Sequence, residues 1–114
     1  MGIVSKVNVS QSCIDECNRC AQACFECYNA CLNEEDVKMR INHIKMLMDC
    51  AVMCQMSVML MSTSSSYAKS HCEQCAKMCE DCANGCNNFP EEHCLQCSEI
   101  CFSCAEECRR MSKQ

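Results

Sequence analysis

Cysteines at Cys13, Cys17, Cys20, Cys24, Cys27 and Cys31 are separated alternately by four and three residues. The same rhythm returns at Cys72, Cys75, Cys79, Cys82 and Cys86, and again at Cys94, Cys97, Cys101, Cys104 and Cys108. Of the seventeen gaps between the eighteen cysteines, fourteen are three or four residues. Residues at that spacing share one face of an α-helix, and a sustained alternation forms the seam that faces a partner helix. The positions where a helical bundle ordinarily carries leucine are therefore occupied by thiols. A chain so patterned is held to an all-α fold whose interior is lined with sulfur.

Composition supports the same conclusion. Hydrophobic residues make up 49% of the 114, but cysteine and ten methionines supply much of that share, and there is no tryptophan. The remaining large aliphatic residues are too few for an ordinary core, so the sulfurs must help to form the interior. A length of 114 residues suits one domain, covering 1–114. The net charge of -5, with scattered lysines and arginines, argues against nucleic acid as a partner. No segment approaches the roughly 20 apolar residues expected of a membrane span. The first ten residues lack an unbroken apolar run and a twin arginine, so no secretion signal is expected. Gly2 raises acylation, but Lys6 stands where that motif wants Ser or Thr. These readings imply a reducing cytosol, where thiols stay free and cysteine patterns usually signify metal or redox chemistry.

Periodicity and turn signals predict four helices, at about 12–32, 37–61, 67–86 and 90–111. Ser12 and Asp15 look like a capping pair for the first. Asn33-Glu34-Glu35-Asp36 makes an acidic connection, and the cluster from Ser62 to Ser66 offers caps for the third. Pro90 suits the first turn of the fourth. Short connections between long helices favour an antiparallel up-down-up-down four-helix bundle with a Cys-lined core. The second helix stands apart, with only Cys50 and Cys54 but seven methionines from Met39 to Met61. Its seam runs through His43, Leu47, Cys50, Cys54, Ser57 and Met61. Ile41, Ile44, Ala51, Val52 and Val58 make it apolar on more than one face, which suggests packing against further copies of the chain.

Eighteen inward thiols limit the chemistry. Neighbouring turns of one helix hold parallel Cα–Cβ vectors that suit a disulfide poorly, so an obligate disulfide framework is not expected. A thioredoxin-like site needs a low-pKa thiol at a helix N-terminus beside a βαβ pattern, and none is visible. Iron–sulfur clusters usually draw on loop-like C-x2-C-x2-C runs, which do not occur here. Zinc closes a small site with four ligands, whereas these thiols run in seams with no grouping into fours. Copper(I) fits better. It is soft, so cysteine and methionine are its natural ligands. It accepts two or three of them, so a C-x3-C pair on successive turns can hold an ion. Its single charge matches one thiolate, leaving a filled core near neutral, while a tetrathiolate zinc site keeps about -2. When empty, protonated thiols are small and apolar, and the bundle can stay folded.

The segments CIDECNRCAQACFECYNAC, CEQCAKMCEDCANGC and CLQCSEICFSCAEEC, set on four helices with short loops, resemble the cytosolic copper storage proteins of bacteria. The resemblance covers nearly the whole chain, from Cys13 to Met111. It implies a homotetramer of four-helix bundles, each binding many Cu(I) ions per chain, with no catalytic residues and no enzyme activity. It carries over as ligands Cys13, Cys17, Cys20, Cys24, Cys27, Cys31, Cys50, Cys54, Cys72, Cys75, Cys79, Cys82, Cys86, Cys94, Cys97, Cys101, Cys104 and Cys108. The family admits copper at a bundle end bearing His or Met. Topology places Cys31, His43, Cys86, His93 and Cys94 at one end, and Cys13, Met61, His71 and Met111 at the other. His93 and in-register His43 match the family's histidine-bearing end and join the candidate ligands. Relatives often carry several histidines in the loop where this chain has Asn87-Asn88-Phe89-Pro90 and then His93. Among the methionines, Met39, Met46, Met61 and Met111 are the candidates for soft ligation. Carboxylates such as Asp15, Glu26, Glu73 and Asp81 read as a solvated outer face. The competing readings are a thiol-rich copper chaperone or redox protein, and a zinc or iron–sulfur protein.

Overall fold

A computed structural model describes residues 2–4 and 9–114. The acylation reading of Lys6 lies outside the described residues, as does half of the stretch read for a secretion signal. Four helices form: α1 (Gln11–Leu32), α2 (Ile41–Ser62), α3 (Ala68–Cys86) and α4 (Glu92–Ser112). A 3-10 turn, Val37–Arg40, leads into α2. Helix α1 lies against α2 and α4, and α3 lies against α4 and α2, while the backbones of the diagonal pairs stay apart among the described residues. Each helix thus turns one seam to a common axis, as the 3–4 alternation requires.

The axis is filled by sulfur. All eighteen cysteines are buried, none more than 2% exposed, and all are free thiols. Leu47 is the largest non-cysteine side chain fully enclosed with them. The α2 seam falls where the alternation puts it, with His43, Leu47, Cys50, Cys54, Ser57 and Met61 all buried. The small residues Ala21, Ala51, Ala76, Ala83 and Ala105 let the helices approach beside the thiols.

Helix ends depart from expectation in three places. Ser12 lies inside α1 and donates to Glu107 on α4 at 3.0 Å, so it ties two helices together and caps neither. Gln11, not Ser12, pairs with Asp15, donating at 2.9 Å one turn on. Pro90 precedes the N-cap, because Glu91 sits in extended backbone and the fourth helix starts at Glu92. The serine cluster acts differently from a simple cap. Ser64 adopts φ 52°, and the Ser65 and Ser64 N–H groups donate to Leu60 and Met61 carbonyls at 2.9 and 3.2 Å. That is the left-handed C-terminal cap usually given to glycine.

One helical stretch, Val37–Ser62, is long and apolar enough by length and composition to cross a membrane, with mean hydropathy 1.5. This departs from the expectation of no such segment, because the methionines raise its hydropathy between the polar residues. Its inward seam belongs to the thiol core, while its outer face exposes Ile41, Val52, Met56 and Met59.

Candidate metal site

Because the seams of α1, α3 and α4 present a thiol at nearly every inward turn, and α2 adds Cys50 and Cys54, sulfurs from two or more helices meet along the axis. Toward the α1 N-terminus, Cys108 lies 3.9 Å from Cys13 and 3.6 Å from Cys17. One level on, Cys104 is 3.7 Å from Cys17 and 4.0 Å from Cys54, which is itself 3.9 Å from Cys75 and 3.7 Å from Cys79. At mid-height, Cys101 is 3.7 Å from both Cys20 and Cys24, and Cys50 is 3.8 Å from Cys79. Cys97 and Cys82 interact with this level and with Cys86 beyond it. At the far end, Cys27, Cys31 and Cys94 form a triangle with sides of 3.8 to 4.0 Å.

Thiolates bind a first-row ion at about 2.3 Å, so ligands in a tetrahedron stand about 3.8 Å apart and in a triangle about 4.0 Å. Clusters with this spacing stand at both ends of the column and at mid-height. Contrary to the sequence reading, fours do occur: Cys20, Cys24, Cys50 and Cys101 lie within 4.8 Å of one another, as do Cys20, Cys50, Cys54 and Cys79. Alternation within one seam hides such sets, because they form only between helices. The two sets share Cys20 and Cys50, so they cannot both close as separate four-ligand sites. Shared sulfurs suit bridging thiolates and a polynuclear filling.

Histidines end the column at one end only. His93 Nδ1 lies 3.4 Å from Cys27 Sγ and 3.5 Å from Cys94 Sγ, and His93 is 28% exposed. On the opposite side, His43 Nε2 lies 3.3 Å from Cys86 Sγ. Burial pulls the His43 imidazole below its ordinary pKa, favouring the neutral ring that metals bind. His43 Nδ1 and His93 Nε2 are enclosed without a hydrogen-bond partner. Gly85 leaves the space His43 needs, since a Cβ there would stand 2.8 Å from Nδ1. His71, in contrast, is engaged by backbone, its Nε2–H donating to the Met53 carbonyl at 2.9 Å. Of the candidate methionines, Met61 is buried at the other end of the column, Met46 and Met111 pack partly against the core, and Met39 is exposed.

The thiols hold one another's protons. Neighbouring S–H donors, with Cys101 foremost, pull Cys20, Cys50 and Cys97 down, while the contacts that Cys54 makes, first with Cys104, push it up. At the histidine end, burial foremost and then the charge of Cys31 push Cys94 up to about 12. At the other end the Cys108 contact lowers Cys72, but Cys13 and burial outweigh it and carry it to about 11.

Four residues at the histidine end, Arg40, Glu91, Asp36 and Phe89, were given no part in the site by the sequence. Arg40 is 2% exposed, with Nη1 3.8 Å from Cys31 Sγ and 3.9 Å from Cys94 Sγ. Glu91 accepts from Nη1 and Nη2, both at 2.7 Å, and Asp36 accepts from Nε at 2.6 Å. Phe89 lies under the guanidinium at 4.4 Å and beside the His43 ring at 5.3 Å. A signal existed, for carrying the α2 seam three residues back from His43 lands on Arg40.

The family model described as "Copper storage protein" matches residues 6–113. Copper storage protein 3 of Bacillus subtilis is 37% identical in its metal-free structure, with a TM-score of 0.85, covering 90% of this chain and 98% of that one. The Cu(I)-bound form of the Bacillus subtilis protein gives 37% identity and a TM-score of 0.87, covering 90% and 97%. A cytosolic copper storage protein from Streptomyces lividans, loaded with five coppers, gives 34% identity and a TM-score of 0.88, covering 92% of each chain. No match was found among curated protein sequences.

Proposed function

The chain belongs to the copper storage protein family, and from that membership we propose that it stores Cu(I) in the cytosol, many ions to a chain, in the sulfur column of its bundle. The observation that carries the reading is the succession of thiol clusters, each with sulfurs 3.6 to 4.0 Å apart, from Cys13 and Cys108 through Cys20, Cys24 and Cys101 to Cys31 and Cys94. Taken four at a time without sharing, eighteen thiols would close only four sites. Sharing them raises the capacity, and a monovalent soft ion permits sharing without leaving the core heavily charged. The eighteen cysteines are the ligands in this reading, with His93 and His43 as additional donors at the end where copper is admitted. No step in storage needs a catalytic group.

The chaperone and redox alternatives need one or two exposed, reactive thiols, and every thiol here is enclosed. Zinc is less well served in the middle of the column, because its closed tetrahedra there compete for Cys20 and Cys50, and the end set of Cys27, Cys31, Cys94 and His93 leaves most of the thiols unused. The outer face of α2 supports self-association, with a homotetramer as the assembly. Its apolar side chains suit a second copy better than a membrane, since Lys45, Asp49 and Gln55 are exposed on the same helix.

Anaerobic titration of the reduced, metal-free protein with Cu(I) against a competing chelator tests the function. Uptake is expected to continue well past four ions per chain. Saturation at one or two would overturn storage and favour a carrier.

A further inference from the structure

The thiol column is closed at its histidine end by side chains that bind no metal in the proposed function. We infer that the Arg40–Glu91 ion pair is the closure of the loading mouth, and that it parts to let Cu(I) reach Cys31 and Cys94. The inference rests on the storage reading and on admission at the histidine end.

The geometry is that of a plug. The Arg40 guanidinium lies directly over the last thiols, with Nη1 within 3.8 and 3.9 Å of Cys31 and Cys94 Sγ. Both sulfurs are fully covered. The plug is fastened from outside the column, by two contacts of 2.7 Å to Glu91 and one of 2.6 Å to Asp36. Phe89 backs the guanidinium at 4.4 Å. Its fastenings come from connections, not from the helix bodies. Arg40 ends the 3-10 turn before α2, Asp36 precedes that turn, and Phe89 and Glu91 lie between α3 and α4. Such segments open at lower cost than packed helices. His93 stands beside the plug, 28% exposed and within 3.5 Å of Cys27 and Cys94, where an arriving ion has a ligand before the thiols are uncovered. A pair that closes the path without ligating the cargo governs how fast copper arrives, while capacity stays with the thiols.

The test is stopped-flow loading of the full, reduced chain from a weakly held Cu(I)–acetonitrile complex, so that release from the donor does not limit the rate. Glu91→Gln keeps the side chain's shape and removes the charge that fastens the plug. Arg40→Gln removes the plug itself. Loading is expected about tenfold faster in either variant, equal to about 1.4 kcal/mol off the opening barrier. The final number of ions should match the parent, and the double variant should be no faster than the faster single. Rates within twofold of the parent, in folded Glu91→Gln protein that fills to parental capacity, would overturn the closure and leave storage standing. A loss of thermal stability with an unchanged rate would do the same, since a merely structural pair moves only stability. A parental capacity of one or two ions would instead count against storage.

Discussion

Loading the column should exchange copper for protons one for one. Two thiolates 3.8 Å apart, the Cys50–Cys79 separation, repel by roughly 4 kcal/mol at an effective dielectric of about 20. At 1.4 kcal/mol per tenfold, ionising the second is about a thousandfold harder than ionising the first. Clusters of thiols at about this distance recur from Cys13 and Cys108 to Cys31 and Cys94, so the empty core can carry few charges, and Cys94, raised to about 12, and Cys72, raised to about 11, keep their protons at neutral pH. Each Cu⁺ that enters removes this penalty for one thiolate. A proton leaves with it, and the core charge stays nearly constant. An anaerobic titration with Cu(I)–acetonitrile in unbuffered solution at pH 7.5, with the released acid followed by pH-stat, should give close to one proton per ion until filling ends. A ratio near two would refute the reasoning. It would mean that each ion gathers two thiolates and that the core grows more negative with every step, which the close spacing forbids on this account.

Three further outcomes follow from particular contacts. In Gly85→Ala the new Cβ meets the His43 ring at 2.8 Å; overpacking of about 1–3 kcal/mol opposes a helix-propensity gain of about 1 kcal/mol. Chemical denaturation should show net destabilisation in the parent and a gain when His43 is first changed to Ala. Ser64→Gly relieves the left-handed backbone at φ 52° and should raise stability by roughly 0.5–1 kcal/mol, seen as an increase of a few degrees in Tm. Val52→Glu, on the exposed apolar face of α2, should shift sedimentation toward smaller species while leaving helix content unchanged, because a buried carboxylate is costly only if that face is covered.

The sequence disclosed most where one period governed many residues. Each cysteine in the seams, and each of His43, Leu47, Ser57 and Met61 on α2, faces inward as the 3–4 alternation requires. It disclosed least where structure depends on contacts between helices. Ser12 carries the signature of a cap, but Glu107 on α4 is in reach and takes its hydroxyl. The sets of four thiols are assembled from seams that are separately regular, so no single segment displays them. Arg40 was hidden for a different reason. A charge on a helix seam is ordinarily read as the place where the seam ends, and only the arrival of Glu91 from the α3–α4 connection makes its burial affordable.

Overlap between the four-thiol sets bears on how the store fills. If Cys20 and Cys50 belonged to one site each, an ion bound there would leave other ions indifferent. Because they belong to two sets, the first ion fixes thiolates that the next can bridge, and part of the cost of ionising and orienting them has been met before it arrives. Binding to a shared sulfur lattice is therefore favoured beside ions already bound over sites still fully protonated. Intermediate loading should then give a mixture of nearly empty and locally filled columns, not an even spread of single ions. Native mass spectrometry at half capacity reads this directly as the width of the copper distribution. A narrow binomial distribution centred on the mean would show independent sites and would remove the role assigned to the shared cysteines.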